Sequence, residues 1–190
     1  MEKLDKVLFT IKESIYYFDD VTKEHSKRMM ILSRDMVNVL RLSDAEREVL
    51  EIACAIHDIG KRYIPLSILN KKEKLTDEEW ERIKTHPLRG WELLNRYPLL
   101  TDVANGVLYH HEKWDGSGYP TGKKKEDIPI ISRVISVIDA FDAMTNIRPY
   151  NTVMNPMEAL NELDRHAGTQ FDPDVCHAFV NMYKDKYLYN

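Results

Sequence analysis

Two segments that place aspartates at the ends of buried-looking helices stand out in the chain. EIACAIHDIGK, residues 51–61, runs apolar or small from Ile52 to Ile56 and ends in His57-Asp58, and RVISVIDAFDAMT places Asp139 after a nearly all-apolar turn with Asp142 three residues on. A carboxylate at the end of a buried helix must be paired, because an isolated charge in an apolar setting costs several kcal/mol or neutralises itself. A metal ion is the strongest partner available. His25 lies at the start of the apolar stripe of its helix, His86 sits in THPLRG, and His110-His111 end a helix whose inward residues are Val103 and Val107. Any one of them could be an ordinary hydrogen-bonded core histidine, since histidine is commonly intermediate in burial. That explanation has to hold separately for each of them, with two acids besides.

Imidazole and carboxylate without thiolate suit iron, manganese, zinc, nickel or cobalt rather than magnesium or calcium. His25, His57, Asp58, His86, His110, His111 and Asp139 offer more donors than one ion can hold. Adjacent helical residues point about 100° apart, so His57-Asp58 and His110-His111 can each spread over two ions, with Asp58 bridging through its two oxygens. Two ions about 3.5–4 Å apart suit displacement at phosphorus, generating hydroxide from water and neutralising phosphate charge. Directly after the paired histidines, HHEKWDGSGYP (residues 110–120) brings glycines at 116 and 118 with Trp114 and Tyr119. Gly116 and Gly118 permit tight positive-φ turns. Tyr119 can offer a hydroxyl to phosphate or a ring face to a base, or simply pack the loop, as Trp114 can.

Helices must position these groups. Leu4, Val7, Leu8, Ile11 and Ile15 recur at helical spacing, and His25, Met29, Leu32, Met36 and Val39 form a second stripe. Ser43 with Glu46 and Thr76 with Glu79 have capping-box spacing, which starts helices near 44 and 77. Asn155-Pro156 and Asp172-Pro173 read as N-caps followed by proline at the first helical position, while Gly60 and Gly168 suit helix ends. No run of alternating strands is convincing. Tyr109 to Pro129 is the longest irregular stretch, of a length that is usually functional or disordered. The expected fold is all-α, a compact bundle of about seven to nine helices, in one domain over 1–190. Within it, 1–19 is an N-terminal amphipathic helix, 20–182 the core and 183–190 a C-terminal tail.

The composition limits what the protein can bind. With 190 residues and 43% hydrophobic content the chain can bury a sizeable core. A net charge of −4 at pH 7 argues against a long nucleic-acid partner, though not against a small phosphorylated molecule. Cys54 and Cys176 are far apart in apolar helical patterns and belong to no zinc spacing, as expected of reduced cytoplasmic thiols. The charged start MEKLDKVLFTIKESIYY is neither signal peptide nor membrane span.

The series His25, His57-Asp58, His86, His110-His111 and Asp139, with HDIGK, HHEKWDGSGYP, DAFDAMT, RPY and GTQFDP, resembles the HD-GYP branch of the HD phosphohydrolase superfamily over roughly residues 20 to 182. The resemblance implies an all-helical domain that hydrolyses cyclic di-GMP to pGpG and then often to GMP. It implies that Asp58 bridges two metals, with His25, His57 and Asp139 on one side and His86, His110 and His111 on the other. It also implies that Lys61 stabilises the phosphate or helps protonate the leaving oxygen, and that Tyr119, Gly118 and Arg148 meet substrate. The expected cofactor is a pair of divalent ions, iron or manganese, with zinc, nickel and cobalt also compatible.

Two features depart from the pattern. Asn151 and Thr152 follow RPY where basic residues are usual, and Val21 stands where some relatives place a third-metal glutamate, with Asp20 and Glu24 on other faces. His166 and His177 fall outside the pattern and are expected on the surface or in packing; Lys123-Lys124-Lys125 reads as a solvated loop. Other readings of function are hydrolysis of a different cyclic dinucleotide, such as cyclic GMP-AMP, or of a nucleotide monophosphate. A different class again is a non-catalytic module that senses cyclic di-GMP or docks onto a diguanylate cyclase or regulatory protein.

Overall fold

A computed structural model describes residues 20–146 and 153–189, the side chains of 20–22 excepted. The described residues are helical, and their only β feature is an isolated bridge between Ala167 and Phe171. The stripe at Leu4–Ile15 and residues Arg148, Asn151 and Thr152 lie outside them.

Helix α1 (Asp20–Val39) buries Met29, Leu32 and Met36 as its stripe predicts. Val39 is exposed, and Val37 takes the inward place at the end of the helix. Helix α2 (Asp44–Ile56) starts at a complete capping box, Ser43 with Glu46, and no residue from 51 to 60 is exposed. A 3-10 turn, Ile59–Tyr63, continues its chain, followed by the short α3 (Leu66–Leu69). Helix α4 (Asp77–Ile83) opens on the Thr76–Glu79 capping box. Helices α5 (His86–Leu94) and α6 (Thr101–Leu108) form the next pair, and α7 (Ile130–Thr145) is the longest apolar helix. Helices α8 (Pro156–Arg165) and α9 (Pro173–Tyr183) begin at Asn155 and Asp172 with proline in the first turn, as the sequence requires.

Helix α2 is central: it packs on α1, α6 and α7, while α5 packs on α6 and on the 3-10 turn, and α8 and α9 cover α7. This brings the C-terminal end of α2, the N-terminal end of α5 and the C-terminal end of α6 to one place. Gly60 makes that approach possible. It is not a helix end but a contact point: a Cβ there would stand 1.9 Å from the carbonyl oxygen of His86 and 2.6 Å from the Gly90 nitrogen.

Residues after α9 are docked rather than trailing. Lys184–Leu188 forms a π turn, Tyr187 donates its hydroxyl to Asp35 of α1 at 2.6 Å, and Lys186 pairs with the same carboxylate at 2.5 Å. Phe141, Phe179, Tyr183 and Tyr187 stack in sequence from α7 to this turn. Cys54 and Cys176 are buried and unlinked. No helix among the described residues is long and apolar enough to cross a membrane.

Candidate metal centre

Three helix ends deliver histidines by the same local device. His57, the C-cap of α2, donates Nδ1–H to the Cys54 carbonyl at 3.0 Å. His86, at the start of α5, does so to Ile83 at 2.7 Å, and His110, just past α6, to Val107 at 2.6 Å. Each acceptor is the carbonyl three residues earlier, so the turn that carries the imidazole also fixes its tautomer and leaves Nε2 with a lone pair. His25 reaches the same place from α1, with its Nδ1 held by the carboxylate of Asp142 at 2.7 Å.

The Nε2 atoms converge. His25 meets His57 at 3.3 Å, and His86 meets His110 at 3.4 Å. Asp58 joins the two pairs: its Oδ1 is 3.2 Å from His86 Nε2 and its Oδ2 is 3.6 Å from His57 Nε2. Ligand atoms of Asp58, His86, His110 and His111 lie within 4.8 Å of one another, and so do those of His25, His57 and Asp58. Asp139 Oδ1 stands 3.6 Å from His25 Nε2, on the side of the second group. Thus all the ligand candidates found in the sequence come together, and Asp58 is the residue the two groups share.

Electrostatics favours a cation. Burial depresses the pKa of His57 and pushes that of His110 far down, the second helped by His111 and its other imidazole neighbours. Burial and His86 lower His111 from 6.5 to about 3. Burial acts against ionisation of Asp58, yet Lys61, His57 and His86 outweigh it and hold the carboxyl well below its usual range. Nitrogen lone pairs therefore face one another across little more than van der Waals distance beside an ionised carboxylate. Such a set is stable with a positive ion between its members. The residues fit divalent metal.

The glycine-rich loop sits beside this cluster. Tyr119 lays its ring against His111, centroids 4.9 Å apart and 32° from parallel, and its N–H donates to the His111 carbonyl at 3.2 Å. Burial, with Asp58 and Asp139 nearby, raises its pKa, so the phenol keeps its proton. Gly116 has φ +85°, as a turn glycine should. Gly118 does not need positive φ; it is required by close approach, since a Cβ would lie 2.3 Å from the Lys113 nitrogen. Trp114 lines a small cavity with Ile128 and Phe171 and serves packing. Its N–H and that of Asp115 donate to the carbonyls of Gln170 and Thr169 at 3.1 and 2.9 Å, so the GTQFDP turn holds the loop through main-chain groups.

Several contributors were not visible in the sequence reading. Glu112 is buried, and its Oε1 accepts both the N–H and the hydroxyl of Thr121 at 2.7 Å, closing the loop on itself. Its position between the paired histidines and the glycines was the available signal. Arg28, bidentate on Asp142 at 2.5 and 3.0 Å, had none. Lys61 places Nζ 2.5 Å from Asp58 Oδ2. Glu24 pairs with Lys27 on the exposed side of α1, away from the cluster. His166 pairs with Glu162 and His177 with Asp164, both outside the site.

The sequence matches the family description "HD domain" over residues 17–175. The chain belongs to that family, in its HD-GYP branch. This HD-GYP domain is 39% identical over 171 residues to a cyclic di-GMP phosphodiesterase of Thermotoga maritima, covering 89% of this chain and 46% of that protein. It is 38% identical to the cyclic di-GMP phosphodiesterase response regulator RpfG of Xanthomonas campestris, covering 94% and 48%. Among solved structures it resembles an HDG"Y"P protein from Bdellovibrio bacteriovorus with a TM-score of 0.69 at 20% identity, over 86% of this chain and 52% of that one. The chain spans about half the length of the curated relatives it matches. Membership of the HD-GYP branch implies divalent metal binding, in keeping with the His/Asp groups described above.

Proposed function

We propose that this HD-GYP domain is a metal-dependent phosphodiesterase that hydrolyses cyclic di-GMP to linear pGpG and, by a second cut, to GMP. The observation that carries this reading is the sharing of Asp58 by two histidine groups, joined by the names of the two curated relatives. The proposed centre is dinuclear, of iron or manganese, with His25, His57 and Asp139 on one ion, His86, His110 and His111 on the other, and Asp58 bridging. Two such ions would supply an activated water and neutralise phosphate charge.

The chain's own residues do the rest. Water adds at phosphorus, the P–O3′ bond breaks, and the phosphate stays on the 5′ side of pGpG. Lys61, partly exposed beside Asp58, brings positive charge to the phosphate oxygens and supplies a proton near the leaving 3′ oxygen. Tyr119, protonated and packed on His111, presents a hydroxyl to phosphate or its outer ring face to guanine. Gly118 lets the loop backbone lie close enough for this, and Arg148 is assigned to a second phosphate contact. The proposed setting is the cytoplasm, where Cys54 and Cys176 stay reduced.

The test is incubation of metal-loaded protein with cyclic di-GMP, cyclic GMP-AMP and a nucleoside monophosphate, with products resolved chromatographically. The expected product is pGpG from cyclic di-GMP. Turnover of only another ring overturns the substrate assignment. Binding of cyclic di-GMP without turnover by fully loaded protein makes the domain a sensor or a docking module for a diguanylate cyclase.

A further inference from the structure

The two halves of the centre are not held in the same way. His57, His86 and His110 take their orientation from a carbonyl three residues back on the same turn. His25 takes its orientation from Asp142, a carboxylate 117 residues away on α7. Asp142 is 1% exposed, and each of its oxygens is committed: Oδ2 to His25 and Arg28, Oδ1 to Arg28 and the Asn146 amide at 3.0 Å. Asp139, the carboxylate candidate on the same side, stands one helical turn before Asp142 on α7. The contact between α1 and α7 therefore passes through the His25 half, whereas the His86–His110–His111 half is assembled by α5, α6 and the turn after α6.

A carboxylate behind an imidazole fixes the ring and makes the opposite nitrogen a stronger donor; loss of such support commonly costs 10- to 100-fold in metal affinity. A neutral carbonyl does the first of these with less of the second. We propose that Asp142 is the positioning residue of His25, and that it makes occupancy of the His25–His57–Asp139 half separable from that of the His86–His110–His111 half. Asp142 touches neither metal nor substrate in this arrangement; it acts through His25. The inference rests on the dinuclear reading above.

The experiment measures metal rather than turnover. Wild type, Asp142→Ala, Asp142→Asn and Arg28→Gln are purified with metal in excess. Stoichiometry is read by elemental analysis, and occupancy of each position by anomalous diffraction. Wild type is expected to hold two ions per chain. Asp142→Ala is expected to hold one, on the His86–His110–His111 side. Asp142→Asn keeps the shape but not the charge; it is expected to bind its second ion 10- to 100-fold more weakly than wild type by titration, while thermal melting of the metal-free form shows it folded. Arg28→Gln, which leaves the His25–Asp142 contact in place, is expected to keep both ions. Two ions at wild-type affinity in Asp142→Asn overturn the proposal, as does equal weakening of both positions. A single ion in the wild type overturns the dinuclear reading as well, and is recognised before any variant is compared.

Discussion

Asp58 and Lys61 sit 2.5 Å apart, but the proposed mechanism gives them different parts of the chemistry. Asp58 is the member common to both ligand groups, so Asp58→Ala is expected to abolish turnover and lower metal content together; near-normal activity in that variant would refute the shared-ligand arrangement. In the proposed mechanism Lys61 holds no ion. Lys61→Ala should retain metal while the rate falls roughly 10²- to 10³-fold, the usual worth of one contact to developing charge. Elemental analysis beside single-turnover kinetics separates the two outcomes, and metal loss in Lys61→Ala would make the lysine structural. Tyr119 gives a third pattern. Its ring packs on His111, and the proposed mechanism gives it to substrate, so Tyr119→Ala should raise the KM for cyclic di-GMP and leave hydrolysis of a simple aryl phosphodiester nearly unchanged. Equal damage to both substrates would show that the ring shapes the metal site.

His57, Asp58, His86, His110 and His111 come to the cluster from helix ends, while His25 and Asp139 reach it from within α1 and α7. The approach of the 3-10 turn to α5 is set by Gly60, where even one carbon would collide with the His86 main chain at 1.9 Å. Gly60→Ala is therefore expected to part Asp58 from His86, weakening metal binding and costing at least about 1–3 kcal/mol of stability, as overpacking does; isothermal metal titration and urea unfolding check both. Much of this level was legible in the sequence. Ser43–Glu46 and Thr76–Glu79 start helices where their spacing says, and Asn155 and Asp172 cap as expected, because a cap is decided within four residues. The ligand histidines were legible by type and position. Their orientation was not, even for those that bond a carbonyl three residues back. Asp142 was visible as a buried acid, but its partners are on α1, and nothing local announces a contact across 117 residues. Gly118 was noticed for the wrong reason: its backbone is ordinary, and the demand comes from Glu112 and Lys113 pressed against it. Val39 belonged to the stripe by spacing yet faces solvent, since the last turn of α1 directs Met36 and Val37 into the core instead.

For the whole molecule, the histidine cluster makes folding sensitive to acid when metal is removed. His111 titrates near 3 in the folded chain against 6.5 when exposed, and His57 and His110 shift in the same direction. Below about pH 6.5 the unfolded chain takes up protons that the folded chain refuses, so stability is lost as pH falls towards 3. Asp58, held low, adds loss of the same sign below its ordinary 3.8. The urea midpoint of chelator-treated protein should drop between about pH 7.5 and about pH 5; an unchanged midpoint would mean that the folded cluster accepts protons as readily as the open chain. The molecule also separates shape from chemistry in its glycine-rich loop. The attachments at Trp114, Asp115 and Tyr119 run from main-chain N–H to main-chain carbonyl, and a peptide group is the same whatever side chain it bears. Exposed positions such as Ser117 and Lys124 can thus be exchanged over evolutionary time without unfastening the loop, so that descendants of one scaffold can acquire new ligand preferences by point substitution while the histidine cluster beneath stays as it is.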